Sequence, residues 1–177
     1  MMRFRPIGFI VAALVFLADQ AAKYGITEVL NLDDLGGVRT VTGFFQLRFV
    51  PNEGVSLGLL PAHSDATRWA LVALTAAIAG GVLAWMLRET KRQELVGLGL
   101  VLGGALGNIL DRIRLGYVVD FADLHFGEWR PFLVFNVADA AITIGVLILL
   151  AGALFARDKH PDAGDAGDPD TVETLNA

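Results

Sequence analysis

Apolar and polar positions vary along this chain on two length scales, and the change from one to the other marks its parts. Four long runs are apolar almost throughout: 7–17, 69–87, 95–110 and 132–156. The second has 19 residues and no charge. At ~1.5 Å per residue it approaches the ~30 Å of bilayer hydrocarbon. The fourth has 25 residues and one charge, Asp139. The first run is short and follows Arg3 and Arg5, a pattern that also fits a signal peptide. Three further spans make a retained helix the simpler account, continuing through Asp19 and Lys23 to about residue 27. Asp19 and Lys23 stand i,i+4 apart, so they share a helix face. They serve there as an interfacial salt bridge or as the lining of a polar cavity. In the third run Gly97, Gly99, Gly103, Gly104 and Gly107 let neighbouring helices approach closely.

The connecting segments follow a different rule. Residues 38–50, VRTVTGFFQLRFV, alternate and are rich in β-branched and aromatic side chains, which predicts strands. Residues 51–54, PNEG, end that pattern as a turn. Between the third and fourth spans the chain reads as a short polar loop holding Asp120. Beyond Arg157 it is acidic and rich in Gly, Pro and Asp, the composition of a disordered tail. The organisation predicted is one four-span membrane domain over 1–156, with spans at about 7–27, 69–87, 95–110 and 132–156, and a tail over 157–177. Four spans put both termini on one side, and the basic cluster Arg88, Lys91, Arg92 puts that side in the cytoplasm.

Composition narrows the chemistry. The chain is 54% hydrophobic, beyond the range of an ordinary soluble domain. Its net charge of −5 and the lack of a basic patch argue against nucleic-acid binding. The absence of cysteine excludes disulfides, thiol nucleophiles and cysteine-ligated metals. His63, His125 and His160 are scattered, and Asp123-x-His125 is a poor ligand signature, so no metal or other cofactor is expected.

Carboxylates carry the signal instead. An ionised Asp inside hydrocarbon costs roughly 2.5–3.5 kcal/mol at a span centre. Asp120 lies just outside the third span, and Asp139 is expected about two turns inside the fourth. If the loop folds back, they meet at one membrane face. Two close carboxylates share a proton, one activating water and the other polarising a carbonyl. Asn108 and Asn136 are placed to orient them. The plainer reading makes Asp111-Arg112 an interfacial ion pair and Asp120 an ordinary loop residue. A Ser-Lys pair from Ser56 and Lys23 is a second catalytic option. A transporter using Asp19 and Asp139 as coupling acids, or an assembly factor binding through its β-rich loop, are the rivals from other classes.

Five ordered motifs carry a more specific resemblance. They are DQAAK at 19–23, NEGVSLG at 52–58, GGALGNILDR at 103–112, GYVVDF at 116–121 and FNVAD at 135–139. In this order, in a four-span chain, they resemble the bacterial lipoprotein signal peptidases, also called signal peptidase II. One departure is Leu57, where the family commonly has Phe. The resemblance implies an all-α membrane protein of four transmembrane helices with a small extracytoplasmic β-cradle formed mainly from the first loop. It implies an aspartyl endopeptidase whose substrates are diacylglyceryl-modified prolipoproteins, cleaved just before the lipidated cysteine. Asp120 and Asp139 match the catalytic pair. Asp19, Lys23, Asn52, Gly54, Asn108, Arg112, Asn136 and Ala138 match the substrate-binding or supporting positions. The expected setting is the bacterial inner membrane, among lipid, with the protein a monomer and its active site near the outer face. The loop at 52–60 is expected to cover that site.

Overall fold

The computed structural model describes residues 5–35, 37–54 and 65–157. Among the described residues, four helices are long and apolar enough to cross a membrane. Helix α1 (Arg5–Tyr24) continues into a single π-type turn, Gly25–Val29, and a short α2 (Leu32–Leu35) follows. Helices α3 (Asp65–Met86), α4 (Arg92–Arg114) and α5 (Val137–Arg157) complete the bundle. The hairpin β1 (Val38–Thr42) and β2 (Phe45–Asn52) is joined by β3 (Val118–Leu124) into an antiparallel sheet of order β1-β2-β3.

Helix α4 is central and packs on α1, α3 and α5. Its glycines explain how. A Cβ on Gly99 would stand 2.5 Å from the Gly8 carbonyl oxygen, and one on Gly103 would strike the Ala12 carbonyl. A Cβ on Gly104 would meet the Ala138 carbonyl at 2.5 Å. So α4 turns one glycine row towards α1 and another towards α5, and the backbones close to contact. The apolar side chains Ala12, Val72, Ala79, Leu95, Leu98 and Leu102 fill the seams between the helices.

The bundle positions the sheet. Helix α4 ends at Leu115 and Gly116, whose φ of +90° suits a glycine just beyond a helix C-terminus. The chain then runs straight into β3. That strand departs from the polar loop the sequence suggests: Val118 is buried, and Val119, Phe121 and Ala122 are buried against Ile26, Leu32 and neighbours. The apolar residues around Asp120 drive a strand where its charge suggested a loop. The fourth helix also starts later than its hydropathy implies, at Val137. Residues 132–135 are apolar but not helical, and Phe135 bridges to β3 through two backbone bonds with Ala122, of 2.8 and 3.1 Å, and one from the Phe121 N–H at 3.1 Å. Asp139 therefore lies in the first turn of α5, not two turns inside it. The tail beyond Arg157 and residues 55–64, which include Ser56, Leu57 and most of the expected covering loop, lie outside the described residues.

Candidate active site

The end of α4, the start of α5 and the middle of β3 meet at one end of the bundle. Asp120 is 2% exposed. Its two oxygens accept from Asn136 Nδ2 at 2.6 Å and Asn52 Nδ2 at 2.8 Å. Asn52 is placed by the register, since it ends β2 beside β3 with Val50 opposite Asp120. Its own Oδ1 accepts from the Gly54 N–H at 2.8 Å, a tight turn in which Gly54 takes φ +79°.

Asp139 is held from the other side. Asn136 is the residue before α5, and its Oδ1 accepts from the Asp139 N–H at 2.9 Å. Asp139 Oδ2 returns the bond to the Asn136 N–H at 3.3 Å. This is a reciprocal capping box, with Asp in the role usually taken by Glu or Gln. Asn108 Nδ2 then donates to Asp139 Oδ1 at 2.9 Å, while Asn108 Oδ1 accepts from Asn136 Nδ2 at 3.3 Å. One asparagine thus caps the helix, grips Asp120 and positions Asp139. Among the described residues both carboxylates are bonded only by amide groups.

The charge on Asp120 is costly here. Burial pushes its carboxyl up to about 6, and nearby Asp139 adds to the rise. The amide bonds from Asn52 and Asn136 and the charge of Lys23 hold it back. Arg112 lies close enough to feel Asp139, Asp120 and Asp111. Its Nε is buried with no hydrogen-bond partner among the described residues. Arg68 of α3 steadies this end of α4 by donating to the Arg112 carbonyl at 2.7 Å.

Behind the pair lies a second polar layer. Lys23 Nζ is 2.8 Å from Asp19, 2.7 Å from Asp111 and 3.2 Å from Asn108 Oδ1. All four residues are buried. Asp19 and Lys23 therefore form a buried salt bridge facing α4. Asp19 Oδ1 accepts from the Ala138 N–H at 2.9 Å, one residue before Asp139. Asp111 Oδ2 accepts from the Val119 N–H at 3.2 Å, one residue before Asp120. Each carboxylate of the outer pair thus follows a residue whose N–H a buried aspartate holds, and one lysine ties the two aspartates together. Lys23 Nζ thus contacts two carboxylates and one amide oxygen, while Ser56, the other member of the expected Ser-Lys pair, lies outside the described residues.

All ten residues expected from sequence gather at this end of the bundle. Asp111 is the important omission. The Asp111-Arg112 ion pair of the plainer reading does not form among the described residues, because Asp111 turns to Lys23 and also accepts from Gln20 Nε2 at 3.0 Å. The signal was available: Gly99, Gly103, Gly107 and Asp111 recur every four residues, one stripe of α4, and the glycines pack on α1. A Cβ on Gly107 would come within 2.5 Å of the Asp19 carboxylate. Asp123 belongs to another cluster, bonded by Gln46 at 2.7 Å and Arg130 at 3.3 Å, with Arg48 at 3.5 Å. An apolar groove of about 740 Å³ runs between α1, α3 and α4, past Phe16, Ala76 and Leu106, and contains none of these polar residues.

The chain as a whole is similar to known proteins. Residues 11–155 match the model of the signal peptidase (SPase) II family. A lipoprotein signal peptidase from Rhizorhabdus wittichii is 60% identical over 159 residues, covering 90% of this chain and 92% of that protein. One from Sphingopyxis alaskensis is 51% identical over 156 residues, covering 88% and 90%. A bacterial membrane enzyme solved by the in meso method at 2.3 Å superposes with a TM-score of 0.75 at 26% identity, covering 89% of this chain and 93% of that one.

Proposed function

The chain belongs to the signal peptidase II family, and from that premise we propose that it is an aspartyl endopeptidase of the bacterial inner membrane. It removes signal peptides from diacylglyceryl-modified prolipoproteins by cutting just before the lipidated cysteine. Asp120 and Asp139 are the catalytic dyad. The observation that carries this reading is their shared scaffold: Asn136 bonds both, and amides alone bond either among the described residues.

Burial and a second carboxylate favour a proton on Asp120. Asp139, half-buried at the mouth, takes a proton from water as that water attacks the scissile carbonyl. The Asp120 proton passes to the carbonyl oxygen and gives a tetrahedral diol. On collapse one diol hydroxyl returns its proton to Asp120, Asp139 passes the water-derived proton to the cysteine nitrogen, and the C–N bond breaks. No covalent intermediate forms. Arg112, with an unsatisfied Nε, supplies positive potential where the oxygen gains charge. Asn52, Gly54 and Asn108 shape the site, while Asp19, Lys23 and Ala138 fix its backbone. The diacylglyceryl chains remain in hydrocarbon while the scissile bond reaches the dyad at the bundle's end. The basic cluster Arg88, Lys91, Arg92 lies at the opposite end, which supports cytoplasmic termini and a dyad near the outer face. The protein works as a monomer.

Cleavage of a purified diacylglyceryl prolipoprotein, read by gel shift, tests the dyad. Asp120→Asn and Asp139→Asn, each checked for folding, should be inactive, and Ser56→Ala active. Normal cleavage by either Asn variant would overturn the assignment.

A further inference from the structure

The sheet carries an apolar feature that the proposed chemistry does not use. At the tip of the β1–β2 hairpin stands Phe44, 52% exposed. Its ring stacks on Phe126 at 6.4 Å between centroids, and Phe126 meets Trp129 at 5.7 Å. The backbone fixes the trio. The His125 N–H donates to the Phe44 carbonyl at 2.9 Å, and Phe126 and Trp129 exchange two backbone bonds across a tight turn at Gly127. Phe126 and Trp129 are themselves 56% and 64% exposed, and Phe132 and Leu133 follow at 61% and 87%. Five large apolar side chains thus lie open on one loop and the hairpin beside it. In water such a cluster is unfavourable.

The connectivity says what covers it. Leu133 is four residues from the first residue of α5, so it stands within about 14 Å of a membrane-spanning helix even if fully extended. Strand β3 starts four residues after α4 ends, and its midpoint Phe121 and the next residue, Ala122, are bonded to Phe135 just before α5. Tied to the bundle at its start and its middle, β3 is held close to the bundle end. Phe126, four residues past Ala122, stands within about 14 Å of it even if fully extended. Aromatic rings at that level match the interfacial zone of a bilayer, which accepts an apolar body and a polar edge together. Arg130, next to Trp129 in the chain, and Arg48 both hold Asp123, and their side chains, 43% and 39% exposed, leave positive charge near this surface for lipid phosphates.

We propose that Phe44, Phe126, Trp129, Phe132 and Leu133 form an interfacial anchor. They insert among the glycerol and upper acyl groups of the surrounding lipid and fix the depth of the sheet. Because β3 also carries Asp120, the anchor sets the level at which the dyad meets the bilayer.

The depth can be read without any cleavage assay, so its outcome is independent of the catalytic assignment. The chain has three tryptophans, and Trp69→Phe with Trp85→Phe leaves Trp129 as the sole emitter. The full chain would be reconstituted in phosphatidylcholine–phosphatidylglycerol vesicles containing lipids brominated at defined depths. Trp129 emission should be blue-shifted and quenched most strongly by bromines near the carboxyl end of the acyl chain, with acrylamide weaker. Adding Phe44→Ser and Phe126→Ser should shift it to the red and raise acrylamide quenching. Red emission open to acrylamide and untouched by brominated lipid would overturn the proposal. So would a Trp129 that neither quencher reaches, which would mean a protein contact.

Discussion

Asp120 and Asp123 lie three residues apart on one strand, both almost fully buried, in opposite electrostatic surroundings. Asp120 is bonded by two amides and has a second carboxylate for a neighbour, and it sits at about 6. Burial pushes the Asp123 carboxyl up too, but bonds from Gln46, Arg130 and Arg48 outweigh it and hold that group below the ordinary carboxylate range. Three residues along a strand reverse the face a side chain takes, so one stretch supplies both environments. Burial alone does not make an aspartate reactive. Burial without a bonded cation leaves it ready to carry a proton, while burial with guanidinium partners makes it a structural anion.

The largest test of this contrast is catalytic. Losing either member of the proposed dyad should lower kcat/KM by about 10²–10⁴-fold, the usual range for a positioned acid or base. Asp123→Asn should leave kcat/KM within about tenfold when assayed well below its unfolding temperature, and a comparable collapse would erase the distinction between the two residues. Next in size is the layer behind the dyad. Lys23→Met strands the buried carboxylates of Asp19 and Asp111, and breaking such a cluster should cost about 3–5 kcal/mol in thermal or denaturant unfolding in detergent. Retained stability would mean that water reaches the cluster.

The contrast can also be transferred. Asn52→Lys would set an ammonium beside Asp120 and give it surroundings like those of Asp123. In the wild type, kcat/KM should fall as pH rises above about 6, as Asp120 loses its proton. In Asn52→Lys that limb should move to lower pH, and an unmoved limb would show that Asp120 does not govern it.

The smallest effects are in pH-dependent stability, and the two residues should have opposite signs. The folded pKa of Asp120 is raised, so its contribution is fully present below the unfolded value of 3.8 and is lost as pH rises through about 6. Asp120→Asn should therefore raise stability at pH 7–8 by about 1–2 kcal/mol after allowance for solvent screening, with no gain below pH ~4. The folded pKa of Asp123 is lowered, so its contribution is present above 3.8 and is lost as pH falls below that value. Asp123→Asn should be less stable at neutral pH by about 1–3 kcal/mol, and the deficit should vanish in acid. Melting curves across pH 3–8 check both.

The sequence by itself determined the features that depend on local periodicity. The apolar runs read as spans because hydrocarbon admits little else of that length. Residues 38–50 read as strands because alternation and β-branching are local properties. The ordered motifs named the residues of the candidate site. Tertiary structure decided which polar groups serve which partner. Asp111 faces Lys23 and not its neighbour Arg112, because α4 turns its glycine stripe to α1. Asn136 and Asp139 cap α5 at its first turn because Phe135 is claimed by β3. Asp120 and Asp123 differ because Asn52 ends the neighbouring strand beside one, while Gln46, Arg48 and Arg130 meet the other. Hydropathy is summed along the chain, but the electrostatics of a carboxylate are set by groups within a few ångströms, and the fold draws those from segments tens of residues apart.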